Sequence, residues 1–335
     1  MSAIVLALVA TMTGRSSTAK SAVAGGRDGV STARGATVRG QTLFGLNVPS
    51  LQALDESESG LRVRPAIIGT FADWEHASDF PTALARAIND RGAVPLISWE
   101  PWDWDGGTEQ PAYALRRILA GSHDALIDRW ATEVAAYRRP VLLRFAAEMN
   151  GDWRPWSIGL NGNRAHEYVA TWRHVRERFA RAGAENAIWV WNPIIAYDGS
   201  TPLAELFPGP DEVDWLAVDG YNWGSTRDWG WQSYADIFAP TLSALHKLAP
   251  RRPLMIAETG SAPDRRKASW VADTLTSARA DGVDAVVWFE FSKETDWRLS
   301  QSPAVANAAR TLVRHRAWRQ GGDLGAVERA VTPRR

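Results

Sequence analysis

Val141-Leu142-Leu143-Arg144-Phe145-Ala146-Ala147-Glu148-Met149-Asn150-Gly151 is the stretch on which the reading of this chain turns. It opens as a short apolar run, the pattern of a strand buried on both faces in a parallel sheet. It closes on a carboxylate, an amide and a glycine. The same layout recurs along the chain. Apolar runs predict strands over residues 44–48, 61–69, 93–99, 187–191, 213–218, 253–257 and 285–291. Between the runs the period lengthens. Leu126, Trp130, Val134 and Tyr137 recur at helical spacing, as do Tyr168, Trp172, Val175 and Phe179. Gly183 follows the second set where a helix C-cap belongs. Residues 231–248 and 265–280 are further helix candidates, and 302–318 is the closing one. Eight strands with helices between them predict an α/β protein, a single (β/α)8 TIM barrel over residues 41–320. The competing arrangement is an open doubly wound sheet. A Gly-rich phosphate loop after the first strand would favour it, and there is none. No internal repeat is present.

The chain has 335 residues, 45% apolar and 23% charged, within the range of an ordinary globular domain. Lys plus Arg equals Asp plus Glu at 38 each, so no field draws the protein to nucleic acid or an acidic membrane. There is no cysteine, which excludes disulfides, thiolate zinc sites and cysteine nucleophiles. The six histidines, mostly in helical segments, show no metal-ligand spacing. No metal and no cofactor are expected. Ser98, Ser225 and Ser261 lack the setting of a hydrolase nucleophile. A monomer is expected.

Residues 1–24 read as a signal peptide. Ala3 to Ala10 is an apolar run too short to span a bilayer, and Ala22-Val23-Ala24 fits a small-x-small cleavage site. The run departs from the usual pattern in having no Lys or Arg before it. Export, or display at the cell surface, is the expectation. Residues 25–40 read as a linker poor in core-forming side chains, and residues 321–335 as a frayed tail.

In a (β/α)8 barrel the active site lies at the carboxyl ends of the strands. There the sequence places Trp99-Glu100-Pro101-Trp102, Glu148-Met149-Asn150-Gly151, Trp191-Asn192-Pro193, Asp219-Gly220-Tyr221-Asn222-Trp223, Glu258-Thr259-Gly260, and Trp288 with Glu290. Glycosidic bonds are cut by a pair of carboxyl groups, one protonating the leaving oxygen and the other attacking carbon or activating water. Strands four and seven face each other across a barrel mouth, so Glu148 and Glu258 are the pair to expect. Strict alternation would put Arg144, Ala146 and Glu148 on one face of strand four, and Leu254, Ile256 and Glu258 on one face of strand seven. The total of 18 tryptophans suits a ligand with flat apolar faces, such as a sugar ring, although packing accounts for about half of them.

At these residues a resemblance becomes specific. Arg144-Phe145-Ala146-Ala147-Glu148-Met149-Asn150-Gly151-Asp152-Trp153-Arg154-Pro155-Trp156 resembles the signature of glycoside hydrolase family 26, a family of retaining β-mannanases, some β-1,3-xylanases and mixed-linkage glucanases. The resemblance spans roughly Gly45 to Arg298. It implies Glu148 as acid/base, Glu258 as nucleophile, Tyr221 and Arg144 orienting the nucleophile, and Asn192 and Trp288 as substrate contacts. Trp99, Glu100, Trp153 and Trp156 complete the expected substrate-binding set. Two positions depart from the family. Ala147 stands where most members have histidine, and Arg154 where an aromatic is common. The activity implied is endo hydrolysis of a β-linked polysaccharide, with β-1,4-mannan first and β-1,3-xylan or mixed-linkage glucan as alternatives. The rival is a barrel that binds polysaccharide and cleaves it poorly or not at all. Each single residue also has a plainer reading: Glu100 and Glu290 as scaffold, and each loop tryptophan as packing.

Overall fold

The computed structural model describes residues 40–332. The signal-like segment 1–24 and the linker 25–40, apart from Gly40, lie outside the described residues. The chain runs β1 (Thr42–Asn47), α1 (Leu51–Leu61), β2 (Ile67–Asp73), α2 (Thr82–Asp90) and β3 (Val94–Glu100). It continues through α3 (Leu115–Leu119), α4 (Asp124–Tyr137), β4 (Val141–Phe145), α5 (Ala165–Arg181) and β5 (Ala187–Trp191). Then follow α6 (Leu203–Leu206), β6 (Trp215–Asn222), α7 (Tyr234–Leu248), β7 (Leu254–Ser261), α8 (Lys267–Ala280) and β8 (Ala285–Phe289). The last elements are α9 (Pro303–Val313), β9 (Trp318–Arg319) and α10 (Leu324–Val331).

Strands β1 to β8 pair in sequence order, all parallel, and β1 pairs with both β2 and β8. The sheet is therefore closed, a (β/α)8 barrel. The two-residue β9 pairs with Thr42 and Leu43, beside the start of β1, where β2 does not pair until Gly45. Among the described residues no helix is long and apolar enough to cross a membrane.

Alternation along the strands divides the core in two. Leu43, Val94, Leu96, Leu142, Val190, Trp215, Ala217, Met255 and Val287 fill the barrel. Phe44, Ile97, Trp99, Phe145, Trp191, Val218, Ile256 and Trp288 face the helices. The layer between sheet and helices is where most of the tryptophan goes. Trp99 stacks on Trp130 of α4, with ring centroids 4.8 Å apart, and Trp288 meets Trp270 of α8 edge to face.

Two expectations are corrected here. The second strand begins at Ile67 rather than residue 61, because α1 runs on to Leu61. Ser50 caps that helix by accepting from the Ala53 amide, and Arg62 ends it in the left-handed conformation. Residues 321–335, read as a frayed tail, contain α10. Asp323 caps it, and its Val327 and Val331 are fully buried against the barrel interior. An amphipathic turn is stable there because the open bottom of the barrel needs an apolar cover.

Candidate active site

The end of β4 is built to aim one side chain. After Phe145 the strand stops, and Ala146 and Glu148 both take positive φ, 43° and 57°. Non-glycine residues pay about 1–3 kcal/mol for such a conformation, and it persists only where neighbours hold it. Here they do. The Ala146 amide donates to Trp99 O at 3.1 Å and the Glu148 amide to Asn192 O at 2.7 Å. Trp156 Nε1 donates to Ala147 O at 2.7 Å, and Asn150 exchanges two bonds with the backbone of Ile194. Gly151 has a different purpose. A Cβ there would lie 2.6 Å from the Trp153 ring, so glycine lets that indole fold back until its Nε1 reaches Glu148 Oε2 at 2.8 Å.

Glu258 reaches the same mouth by another route. Met255 and Ala257 of β7 point into the barrel, while Leu254 and Ile256 face the helices. Regular alternation would send Glu258 outward with them. The register with β6 shifts instead: Val218 pairs with Ile256, and Asp219 pairs with Glu258. This one-residue bulge turns Glu258 inward, beside Asp219. The expected grouping of Leu254, Ile256 and Glu258 on one face is thus corrected, and so is that of Arg144 with Ala146, which lies in the outer layer.

Beside Glu258 lies Arg144, fully buried. Its Nε donates to Asn192 Oδ1 at 3.0 Å and its Nη1 to Ser98 Oγ at 2.8 Å. It also forms close ion pairs with Glu258 and Asp219. Tyr221 Oη donates to the other oxygen of Glu258 at 2.5 Å. Carboxylate oxygens of Glu148, Asp219 and Glu258 lie within 4.8 Å of one another. The guanidinium already pairs with two of the three. Burial pulls the Arg144 proton affinity down, but Asp219 and Glu258 more than offset it and keep the group charged. Burial pushes the Asp219 carboxyl well up, against the pull of Arg144. Burial and then Glu258 push the Tyr221 phenol well up, so it remains a donor.

Glu148 has its own company. Its Oε2 accepts from Trp153 Nε1, from Arg154 Nε at 3.2 Å and from Arg154 Nη2 at 3.1 Å. Burial raises its proton affinity, but Arg154 and then Arg144 outweigh burial and hold the carboxyl below its usual range.

The predicted substrate-binding residues separate into those at the mouth and those behind it. Trp153 is half-buried at the mouth, its ring stacked on Tyr197. Trp99, Trp156 and Trp288 are 0% exposed and have no free face for a sugar. All three are corrected to packing residues. Trp99 and Trp288 fall on the outward positions of their strands, and Trp156 packs edge to face on Trp102. Asn192 is also fully buried and serves Arg144 rather than the cleft. Glu100 points to the mouth but is occupied, accepting from Trp102 Nε1 and Trp104 Nε1 and pairing with Arg154. Glu290 is scaffold, accepting from the amides of Leu299 and Ser300.

Several site groups were not singled out from sequence. Asp219 was legible, since Trp215, Ala217, Asp219 and Tyr221 share a face of a regular strand. Phe71, Phe289 and Phe291 form an aromatic cluster that meets Tyr221 through Phe289, with ring centroids 5.7 Å apart. Only closure of the barrel, which seats β1 between β8 and β2, brings it together. His76 stands with Asp73 and Asp103 within 4.8 Å, a grouping its sequence spacing did not suggest. Asp73 Oδ2 is already taken by His76 Nδ1 at 2.6 Å and by the Trp104 amide at 3.2 Å.

Fold and site together define a (β/α)8 barrel whose mouth carries a close pair of glutamates, one of them gripped by a buried arginine and a tyrosine. Residues 109–262 match the family described as Glycosyl hydrolase family 26. The chain is similar to that family over this segment, which holds both glutamates. It is 36% identical over 255 residues to Endoglucanase H of Acetivibrio thermocellus, which covers 74% of this chain and 27% of that protein. It is 26% identical over 184 residues to the β-1,3-xylanase TXYA of a Vibrio species, covering 53% of this chain and 36% of that protein. The chain thus spans about a quarter to a third of these relatives' lengths. Among solved structures, the family 26 β-mannanase BoMan26A of Bacteroides ovatus superposes with a TM-score of 0.67 at 18% identity, over 85% of this chain and 92% of that one. At that identity the likeness is one of fold.

Proposed function

We propose that this protein hydrolyses a β-linked polysaccharide by double displacement, with retention at the anomeric carbon. The observation that carries the reading is the separation of Glu148 and Glu258, with carboxylate oxygens within 4.8 Å. Retaining glycosidases hold their carboxyl groups about 5–5.5 Å apart, whereas inverting enzymes leave roughly 6.5–9.5 Å for a water. In this reading Glu148 gives a proton to the leaving oxygen while Glu258 attacks the anomeric carbon and the glycosidic bond breaks. Glu148 then takes a proton from water, which displaces Glu258 from the sugar. Arg144 and Tyr221 bond the two oxygens of Glu258 and hold it pointed, and Trp153 is the substrate contact beside Glu148.

Four carboxylates (Glu100, Glu148, Asp219 and Glu258) surround the two guanidiniums of Arg144 and Arg154. Such a site favours a neutral glycan over an acidic one. β-1,4-Mannan is the first substrate proposed, with endo action. Mixed-linkage β-glucan is the second, favoured by the 36% identity to a protein named an endoglucanase. That name describes a relative of which this chain covers 27%, so it does not displace mannan.

The test is to incubate the protein with mannan, mixed-linkage glucan and β-1,3-xylan, count new reducing ends, and follow the first-released anomer by proton NMR. The β anomer is expected. An α anomer overturns retention. Binding by calorimetry without any new reducing ends overturns the hydrolase reading in favour of a binding barrel. Export is proposed with it, from the signal-like residues 1–24, and so is a monomeric state. N-terminal sequencing of protein from the culture medium and light scattering check them.

A further inference from the structure

Arg154 is heavily engaged at the mouth, and the displacement chemistry assigns it no step. Its guanidinium lies over Trp102 at 5.3 Å and over Trp156 at 5.7 Å, so its charge is held against two aromatic rings. Nη1 pairs with Glu100 Oε1 at 3.3 Å, and Glu100 is itself fixed by two indole donors. From this anchored position Nε and Nη2 both reach Glu148, and both reach the same oxygen, Oε2. Trp153 Nε1 takes Oε2 as well. A carboxylate oxygen offers about two lone pairs. Three donors fill it.

We propose that Arg154 is a positioning residue that reserves Oε1 of Glu148 for the substrate, by filling Oε2 jointly with Trp153 from an anchor on Glu100. The proposal rests on the reading of Glu148 as the acid/base. The proton that crosses to the glycosidic oxygen in the first displacement leaves Oε1, and the proton taken from water in the second returns there. The arrangement has a second consequence. A guanidinium on Glu148 favours the anion, which suits the water-activating step and opposes the proton-donating one. The enzyme therefore loses its acid form at a lower pH than burial alone would set. The other groups facing Glu148 are Arg144 from β4, Asp219 and Tyr221 from β6, Glu258 from β7 and Tyr197 after β5. Arg144 acts in the same direction as Arg154, and Asp219 and Glu258 act against both. Arg154 is the member of this set that touches Glu148 directly and has no contact with Glu258.

The test uses the full chain and two variants, Arg154→Gln and Arg154→Lys. The Glu148 carboxyl carbon is titrated by NMR in the free protein, with its signal assigned by its loss in Glu148→Gln. A carboxylate next to arginine is shifted by about one to three units. In Arg154→Gln its midpoint should rise by about one unit or more, and the alkaline limb of kcat/KM on glycan should move up with it. Arg154→Lys should restore the midpoint, because charge returns, but not kcat on glycan, because one ammonium cannot hold both carboxylates in a plane. On an aryl glycoside with a nitrophenolate leaving group, kcat/KM should fall less than on glycan in both variants, since that step needs no proton from Glu148. A folded Arg154→Gln whose NMR midpoint is unchanged overturns the proposal, and so does equal loss on glycan and aryl glycoside. The titration needs no turnover. If the wild type cleaves nothing, the hydrolase reading fails, while the control of Glu148 by Arg154 is still decided.

Discussion

Glu258 accepts from a guanidinium on one oxygen and a phenol on the other, while Glu148 accepts from Trp153 and Arg154 on the same oxygen. Charge-assisted bonds of the first kind hold an anion in place, as a nucleophile requires. Two expectations follow for their amides. Glu258→Gln abolishes turnover on every substrate. Glu148→Gln loses most on glycan and least on a nitrophenyl glycoside, whose leaving group needs no proton. Comparing kcat/KM for both variants on both substrates checks this, and equal loss on the activated substrate would exchange the roles. Ala147 is 4% exposed, and its carbonyl is held by Trp156. An imidazole placed there must displace packed neighbours, so Ala147→His should lower activity on the true substrate. A rise in kcat with little change in KM would show instead that the site lacked a donor in the transition state.

Two elements do what their local pattern does not announce. In β7 the bulge opposite Val218 and Asp219 decides which face Glu258 occupies. At the other end of the barrel, α10 covers the interior with Val327 and Val331, and Trp215 Nε1 donates to Val331 O at 2.8 Å. Ending the chain at Gln320 should therefore cost about 3–6 kcal/mol, from two buried valines at roughly 1.5–3 kcal/mol each. Urea denaturation measures the loss. The pH profile of kcat/KM should not move, because the helix lies at the opposite end of the barrel from the glutamates.

Over the whole molecule, 38 basic and 38 acidic side chains cancel. A neutral glycan approaching such a surface is not steered by a net field, and there is nothing for salt to screen. On mannan or glucan, kcat/KM should change by less than about twofold between low and high ionic strength in a stopped assay. A steep fall with salt would mean that charged substrate groups are being drawn in. The site charges themselves are buried behind the rim and pair with one another over contact distances, where mobile ions have little effect.

The barrel and the two glutamates were legible in the sequence because their signals are local. An apolar run, a helical period and a carboxylate at a strand end each occupy a few consecutive residues. Alternation alone also held more than was drawn from it: Val94, Leu96, Ser98 and Glu100 share the inner face of β3, which sends Trp99 outward. The direction of a side chain at the mouth is not local. Glu258 faces inward because β6 sets the register of β7, and Glu148 is aimed by the carbonyls of Trp99 and Asn192 on the strands either side. The same holds for Arg154, whose anchor Glu100 lies on β3 while its target lies after β4. The sequence by itself determined the eight barrel strands, their order and the chemistry available at their ends. Only the tertiary structure decided which tryptophans pack and which oxygens meet, because both depend on strands that are distant in the chain and adjacent in the closed sheet.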